Sequence, residues 1–103
     1  MGRLDLDKVL RKVMHDICGV ENVYFQPPEN VKLKYPAIVY ERDEIRNASA
    51  DNITYSQHDM YQVTVIDRDP DSLLVFAVSA LSKCRYERHF VSDGLNHDVF
   101  TIY

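Results

Sequence analysis

Residues 59–81, DMYQVTVIDRDPDSLLVFAVSAL, decide the fold because their apolar spacing changes from a strand period to a helix period. Residues 61–66 alternate as a half-buried strand does. Asp69 is suited to cap a helix, and Pro70 fits a first helical position. The apolar stripe of that helix then comprises Leu74, Ala77, Val78 and Leu81. The stretch therefore predicts a strand followed by a helix that packs back onto the sheet.

The flanking segments extend this unit to a whole domain. Apolar residues at helical spacing predict a helix over residues 5–18, with Asp5 or Asp7 as its N-cap and Gly19 as its C-terminal stop. Strands are predicted near residues 22–25, 37–46, 53–66, 84–91 and 95–103, with an Asp93-Gly94 turn between the last two. The expected order is α-β-β-β-α-β-β. We expect one domain over residues 1–103, of the α+β class, with two helices on an antiparallel or mixed sheet.

The strand over residues 53–66 would be too long for a compact domain of this size. Fourteen residues at about 3.3 Å each span roughly 46 Å, against a diameter of about 34 Å for a compact chain of 100 residues. The far end is therefore expected to bend, or to project as a β-hairpin arm that contacts partners; an ordinary flexible loop is the alternative. The candidate contact residues of the arm are Arg46, Asn47, Asp51, Asn52, Ile53 and Tyr55.

The last strand has apolar residues on both faces and ends at the chain terminus. We expect it to lie at the sheet edge, where Phe100, Ile102 and Tyr103 would need covering. They could pack under the helices, or an adjacent subunit could cover them. The second solution is the favoured expectation, which makes these three residues candidates for a subunit interface.

Composition limits the classes of function. The net charge of −4 and the pI near 5.4 leave no basic surplus for binding a phosphate backbone. Two cysteines, Cys18 and Cys84, are expected to be free thiols in a reducing compartment. No apolar run reaches the roughly 20 residues that span a bilayer, and the acidic N-terminal segment does not resemble a signal peptide, so we expect a cytosolic protein.

Nothing in the sequence favours catalysis. Of the three His-Asp pairs, the one at His15 is on a predicted helix, whereas those at His58 and His97 are on predicted strands, whose adjacent side chains point to opposite faces. Cys84 and His89 are five residues apart on one strand and are expected to face opposite sides. Phosphate-binding, dinucleotide-binding and serine-hydrolase motifs are lacking. We expect no enzyme, no cofactor and no metal site.

The aromatic residues favour protein contacts instead. Tyrosine occurs seven times, and Tyr with Arg is typical of protein interfaces. A nucleic-acid surface would place basic residues beside such aromatics, whereas this chain interleaves Asp and Glu.

Two stretches carry a resemblance to a known family. They are Tyr-Pro-Ala-Ile-Val-Tyr at residues 35–40 and Tyr-Gln-Val-Thr-Val-Ile-Asp at residues 61–67. With the N-terminal helix and the C-terminal hairpin, the chain resembles the small tail terminator (tail completion) proteins of long-tailed bacteriophages and prophages.

The resemblance implies a homo-oligomeric ring, six-fold in that family, that caps the tail tube and stops its polymerisation. The expected partners are further copies of the chain, the tail tube protein and the head connector proteins. DNA would pass only as cargo, and no membrane is involved. The protein would be part of the virion tail or neck, assembled in the bacterial cytoplasm. Another head–tail connector or neck protein, a cellular α+β adaptor and a small metal-dependent or thiol enzyme are the alternatives.

Overall fold

The computed structural model describes residues 3–42 and 60–102. Its elements are α1 (Arg3–Cys18), β1 (Val23–Phe25), β2 (Ala37–Arg42), β3 (Tyr61–Asp67), α2 (Leu73–Ser79), β4 (Cys84–Ser92) and β5 (Leu95–Ile102). The predicted α+β class and the predicted order of elements are confirmed. The predicted projecting arm lies outside the described residues.

The five strands form one mixed sheet in the order β1-β2-β3-β5-β4. β1 runs parallel to β2, and the other neighbouring strands are antiparallel. β3 and β4 therefore run in the same direction, and α2 connects them while β5 is inserted between them. Of the two stretches that carry the family resemblance, residues 37–40 of the first lie in β2 and residues 61–67 form β3, and these two strands pair with each other.

Both helices cover the same face of the sheet, which we call the helix face; the other is the opposite face. The apolar side of α1 contributes Leu6, Leu10 and Met14, each fully buried. Burying such a side chain contributes about 1.5–3 kcal/mol relative to its exposure. They pack in one cluster with residues of the second helix and the sheet: Val23, Ile38, Tyr40, Tyr61, Val63, Val65, Leu74, Val78, Phe100 and Ile102.

The first helix ends where the sequence predicts and begins earlier. Gly19 has φ of +71°, and its N–H donates to the His15 carbonyl at 2.9 Å, so the glycine stop is confirmed. Asp5 and Asp7 both lie inside α1, so the prediction that one of them caps it is wrong.

Asp7 instead helps to hold α1 on the sheet. The Tyr40 hydroxyl donates to Asp7 Oδ1 at 2.6 Å, and Arg11 Nε donates to Asp7 Oδ2 at 2.7 Å. Burial raises the pKa of Asp7, but the hydrogen bonds from Tyr40 and Arg11 outweigh it and leave that pKa below its ordinary value. Burial, followed by the hydrogen bond to Asp7, raises the pKa of Tyr40 to about 12. The network joins α1 to the interior strand β2 through a charged group.

The second helix begins later than predicted. Its N-cap is Ser72, whose Oγ accepts from the Leu74 N–H at 3.2 Å. Asp69 was predicted for this role, but its Oδ1 accepts from the Asp71 N–H at 2.9 Å and closes a turn before the helix. That prediction, and the placement of Pro70 in the helix, are wrong.

The predicted edge position of the last strand is also wrong. β5 lies between β3 and β4 and is hydrogen-bonded on both sides. Phe100 is 0% exposed and Ile102 is 1% exposed, within the subunit's own core. Of the two solutions considered, packing under the helices is the one adopted, so the reason for placing these residues at a subunit interface no longer holds. Tyr103 lies outside the described residues.

The turn that precedes β5 agrees with the sequence. Asp93 and Gly94 have φ of +52° and +74°, the two positive values that a tight Asp-Gly hairpin turn requires. This turn returns the chain along the inner side of β4, which leaves β4 at the edge of the sheet.

Candidate interaction surface

The strand β4 forms one edge of the sheet, and no strand lies beyond it in the part of the chain that the structure describes. Every residue of the strand after Cys84 is exposed. Three of these exposed residues have large hydrophobic side chains: Tyr86 is 49% exposed, Phe90 41% and Val91 61%. An edge strand presents a row of unpaired backbone N–H and C=O groups to which another strand can bind. We call the outer side of residues 84–92 the β4 edge.

A one-residue bulge at Glu87 redirects the charged side chains of β4. Tyr86 is opposite Phe100 on β5, whereas Arg88 is opposite Val99, so Glu87 is the additional residue. Thr101 Oγ1 donates to Glu87 Oε1 at 3.0 Å, which places the Glu87 carboxylate on the opposite face. Arg85 lies on the same face, with its Nε 3.8 Å from Glu87 Oε1. Arg85 and Glu87 share this face by strand alternation, and the bulge adds Arg88 to it, so charges of both signs lie together beside the β4 edge.

The bulge also corrects the expected relation of Cys84 and His89. Their partners on β5 are Ile102 and Asp98, which share a face, so the two side chains lie on the same side of the sheet and not on opposite sides. They remain apart, since four residues at about 3.3 Å each separate those partners by roughly 13 Å. The His89 side chain is hydrogen-bonded to that of Asn96, with Nε2 and Oδ1 3.2 Å apart.

Neither cysteine has the environment of an activated nucleophile. Burial raises the pKa of Cys84, and burial together with the charge of Asp67 raises the pKa of Cys18. A raised pKa keeps each thiol protonated near pH 7, whereas a thiol nucleophile needs the thiolate.

The Tyr86 side chain is held in place by two residues of β5, although about half of it is exposed. Its hydroxyl donates to Asp98 Oδ1 at 3.1 Å, and its ring meets Phe100 edge to face with centroids 5.3 Å apart. Burial, and then the hydrogen bond to Asp98, raises the pKa of Tyr86. The side chain is thus fixed against β5 on the helix face, and about half of its surface stays exposed.

Phe90 is held in a similar way on the opposite face. Its ring stacks on His97, with centroids 4.6 Å apart and an interplanar angle of 12°. The Arg88 guanidinium lies 5.8 Å from the Phe90 centroid. His97 and Asp98 point to opposite faces, as predicted for adjacent residues of a strand, since Asp98 bonds Tyr86 on the helix face.

The other edge of the sheet differs from the β4 edge. β1 has three residues, and its bonds to β2 use the Asn22 carbonyl and the Gln26 N–H, so the Val23 carbonyl points outward. Arg11 covers this edge, donating at 3.4 Å to the carbonyls of both Glu21 and Val23. Of the two edges in the described sheet, β1 is short and occupied by its own chain, and β4 is long and open.

The remaining candidate groups do not form a site. His15 is exposed on α1, and His58 lies outside the described residues. Within residues 3–42 and 60–102, no three His, Cys, Asp or Glu side chains converge as ligands of a metal ion. The described helices also include none that is long and apolar enough to cross a membrane.

Only two of the residues predicted for an interaction surface lie among the described residues. Phe100 and Ile102 are internal, and the arm residues lie outside the described residues: Arg46, Asn47, Asp51, Asn52, Ile53 and Tyr55. The β4 edge was not identified from the sequence. The available signal is that Cys-Arg-Tyr-Glu-Arg-His-Phe-Val-Ser carries three charged residues, Arg85, Glu87 and Arg88, and so many charges in one strand are typical of a sheet edge.

Comparison with known proteins finds no matching family model, no matching curated protein and no matching solved structure.

Proposed function

We propose that this chain is a non-enzymatic structural subunit of a long-tailed bacteriophage or prophage. In this proposal it is a tail terminator that forms a homo-oligomeric ring, caps the tail tube, stops its polymerisation and joins the tail to the head connector. It would assemble in the bacterial cytoplasm and remain in the virion. The observation that carries the proposal is the β4 edge, a nine-residue strand with exposed aromatic and charged side chains.

The physical requirements of such a subunit agree with this surface. A protein that acts by assembly needs backbone and aromatic groups that stay available after its own core is complete. Tyr86 and Phe90 meet that requirement, because each is anchored by its own chain and still exposed. The net charge of −4 also suits a ring through which DNA passes without being bound. The resemblance supplies the specific role, through residues that form β2 and β3.

Another connector or neck protein is the alternative within the same virion, and it would use the same edge. The open edge also favours an adaptor of a different class, which would bind an extended peptide as an additional strand. The three proposals differ in what the β4 edge binds and in the stoichiometry of the assembly.

Native mass spectrometry combined with tube assembly distinguishes the terminator from the neck protein. A terminator ring of six 12.0 kDa subunits gives a mass of about 72 kDa and shortens or caps tubes grown from tail tube subunits. Heat-unfolded protein at the same concentration is the control. Binding to a connector ring without any effect on tubes would instead favour the neck protein. A chain that stays monomeric and leaves tube length unchanged would refute the terminator role.

A further inference from the structure

We propose that two copies of this chain pair in solution through their β4 edges, around a two-fold axis, so that two five-stranded sheets become one continuous sheet. The inference does not depend on the phage role. This pair is isologous and uses the β4 edge twice, so it competes with a ring that closes through that edge; a ring built from such pairs closes through heterologous contacts between other surfaces.

The β1 edge is already partly occupied, which explains why the strand that pairs with β4 is the β4 of a second copy. When two copies join sheet to sheet, each must offer an edge with free backbone groups. In the described residues the sheet has two edges, and Arg11 already binds the outward Val23 carbonyl at β1. The edge that remains available on each copy is β4. Two identical strands related by a two-fold axis perpendicular to the sheet are antiparallel, which is the pairing that such a junction permits.

Charge selects the register of the pair. Opposite residues of an antiparallel pair share a face of the sheet, and like charges in opposite positions are destabilising. An axis at Glu87 or at Arg88 would place two identical charges opposite each other. An axis at Tyr86 places Arg85 opposite Glu87 of the second copy, and this pair of opposite charges occurs twice.

In the single chain, the side chains of Arg85, Glu87 and Tyr86 already lie on the faces that this register requires. Arg85 and Glu87 are two residues apart on the strand and both lie on the opposite face, and their side chains are 76% and 38% exposed. Their separation of 3.8 Å within one chain is long for an ion pair, so each can exchange its partner for one in the second copy. Tyr86 stands on the helix face, where the two rings would meet at the axis and form a cross-strand aromatic pair.

The same bulge keeps the contact short. A bulge interrupts the regular ladder and twists an edge strand, so pairing extends over few residues on each side of Tyr86. Small interfaces of this kind belong to weak, transient associations. We expect a dimer with a dissociation constant on the order of tens of micromolar.

A disulfide in a single-cysteine variant tests the register. Cys18→Ser and Cys84→Ser remove the native thiols, and Tyr86→Cys then places one thiol on the axis. Opposite residues have Cα atoms about 4.5–5.5 Å apart, within the range for a disulfide. We expect mild oxidation to give a covalent dimer. Phe90→Cys in the same background is the control, since eight residues at about 3.3 Å would separate its two thiols by roughly 26 Å. A disulfide in the Phe90→Cys variant and none in the Tyr86→Cys variant would overturn the register.

Charge reversal provides a second test that leaves Tyr86 intact. Arg85→Glu places like charges in both pairs and should weaken the dimer about tenfold in sedimentation experiments. The double variant Arg85→Glu/Glu87→Arg should restore it, and Arg88→Glu should change it less than about threefold. Circular dichroism checks that each variant is folded.

Two outcomes would overturn the proposal. One is a wild-type chain that is monomeric up to about 1 mM. The other is a hexamer that Arg85→Glu dissociates while the Tyr86→Cys variant forms no disulfide, because that result assigns the β4 edge to the ring contact. A dimer without any effect on tail tubes would support the pair and count against the terminator role, so the two proposals fail separately.

Discussion

Replacing Tyr40 by Phe removes one hydroxyl from the network that holds α1 on β2. The ring is 0% exposed, and its hydroxyl is 2.6 Å from Asp7 Oδ1. A hydrogen bond to a charged partner contributes about 1.5–3 kcal/mol, and for a domain of this size 1 kcal/mol lowers the melting temperature by about 4–8 °C. We therefore expect Tyr40→Phe to lower the melting temperature by roughly 6–24 °C at pH 7, with the fold retained because the ring still fills its site.

The pH dependence of stability gives the same contact a second signature. Folding raises the pKa of Tyr40 from 10.0 to about 12, so its contribution is complete below pH 10 and is lost as the pH rises from 10 towards 12. At 1.36 kcal/mol per pH unit, the loss is at most about 3 kcal/mol. The pKa of Asp7 is lowered from 3.8, so its contribution is present above pH 3.8 and is lost as the pH falls below that value. Tyr40→Phe should reduce both the loss of stability at alkaline pH and the loss of stability at acid pH.

Thermal unfolding at pH 7 measures the change in melting temperature, and urea unfolding below pH 4 and at intervals from pH 9 to pH 11 measures the pH dependence, both followed by circular dichroism. Tyr24→Phe is the matched control, because the Tyr24 hydroxyl accepts one bond from the exposed Lys34 N–H and its loss should cost less than about 1 kcal/mol. Equal stability of Tyr40→Phe and wild type at pH 7, or an unchanged alkaline slope, would refute the assignment of Asp7 as the partner that holds α1.

Four further predictions concern other parts of the molecule. Leu10→Ala should lower the free energy of unfolding by about 2–5 kcal/mol, measured in urea, because Leu10 lies on the apolar side of α1 and is fully buried against the sheet. Phe100→Asp should give insoluble or unfolded protein by circular dichroism, since the side chain lies in the core; soluble folded monomers would contradict that placement. Ser72→Ala should cost about 1 kcal/mol in urea unfolding, more than Asp69→Ala, because Ser72 caps α2. In the Cys18→Ser variant, alkylation of Cys84 should keep accelerating above pH 9, since burial raises its pKa from 9.0; a plateau below pH 9 would contradict this.

For the strand and helix at residues 59–81, the sequence predicts the type of each element but not the residue at which the helix begins. The strand and helix periods of residues 61–78 follow from side-chain burial on one face, and they appear in β3 and α2. The start of α2 depends on a local competition that the sequence leaves open, because Asp67, Asp69 and Ser72 are all capable caps. Asp67 and Asp69 each accept the N–H two residues ahead, so the chain turns twice before Ser72 caps the helix.

The position of a strand within the sheet is harder to predict than the strand itself, because it depends on pairing with distant residues. Residues 97–102, His-Asp-Val-Phe-Thr-Ile, are apolar on both faces from Val99 onward, and this pattern suits a strand with neighbours on both sides. Their location near the chain terminus suggested an edge instead.

Assembly depends on the same distinction between interior and edge strands. Because the Asp93-Gly94 turn returns the chain inside β4, the apolar strand completes the core and the charged strand becomes the boundary of the sheet. A surface built from Phe100 and Ile102 would have required the subunit to stay incomplete until it met a neighbour. A surface built on β4 does not, since Tyr86 rests on the core residue Phe100 and Phe90 stacks on His97 of the interior strand β5. We therefore expect a subunit that folds alone and associates afterwards, whose stability and assembly respond to different substitutions.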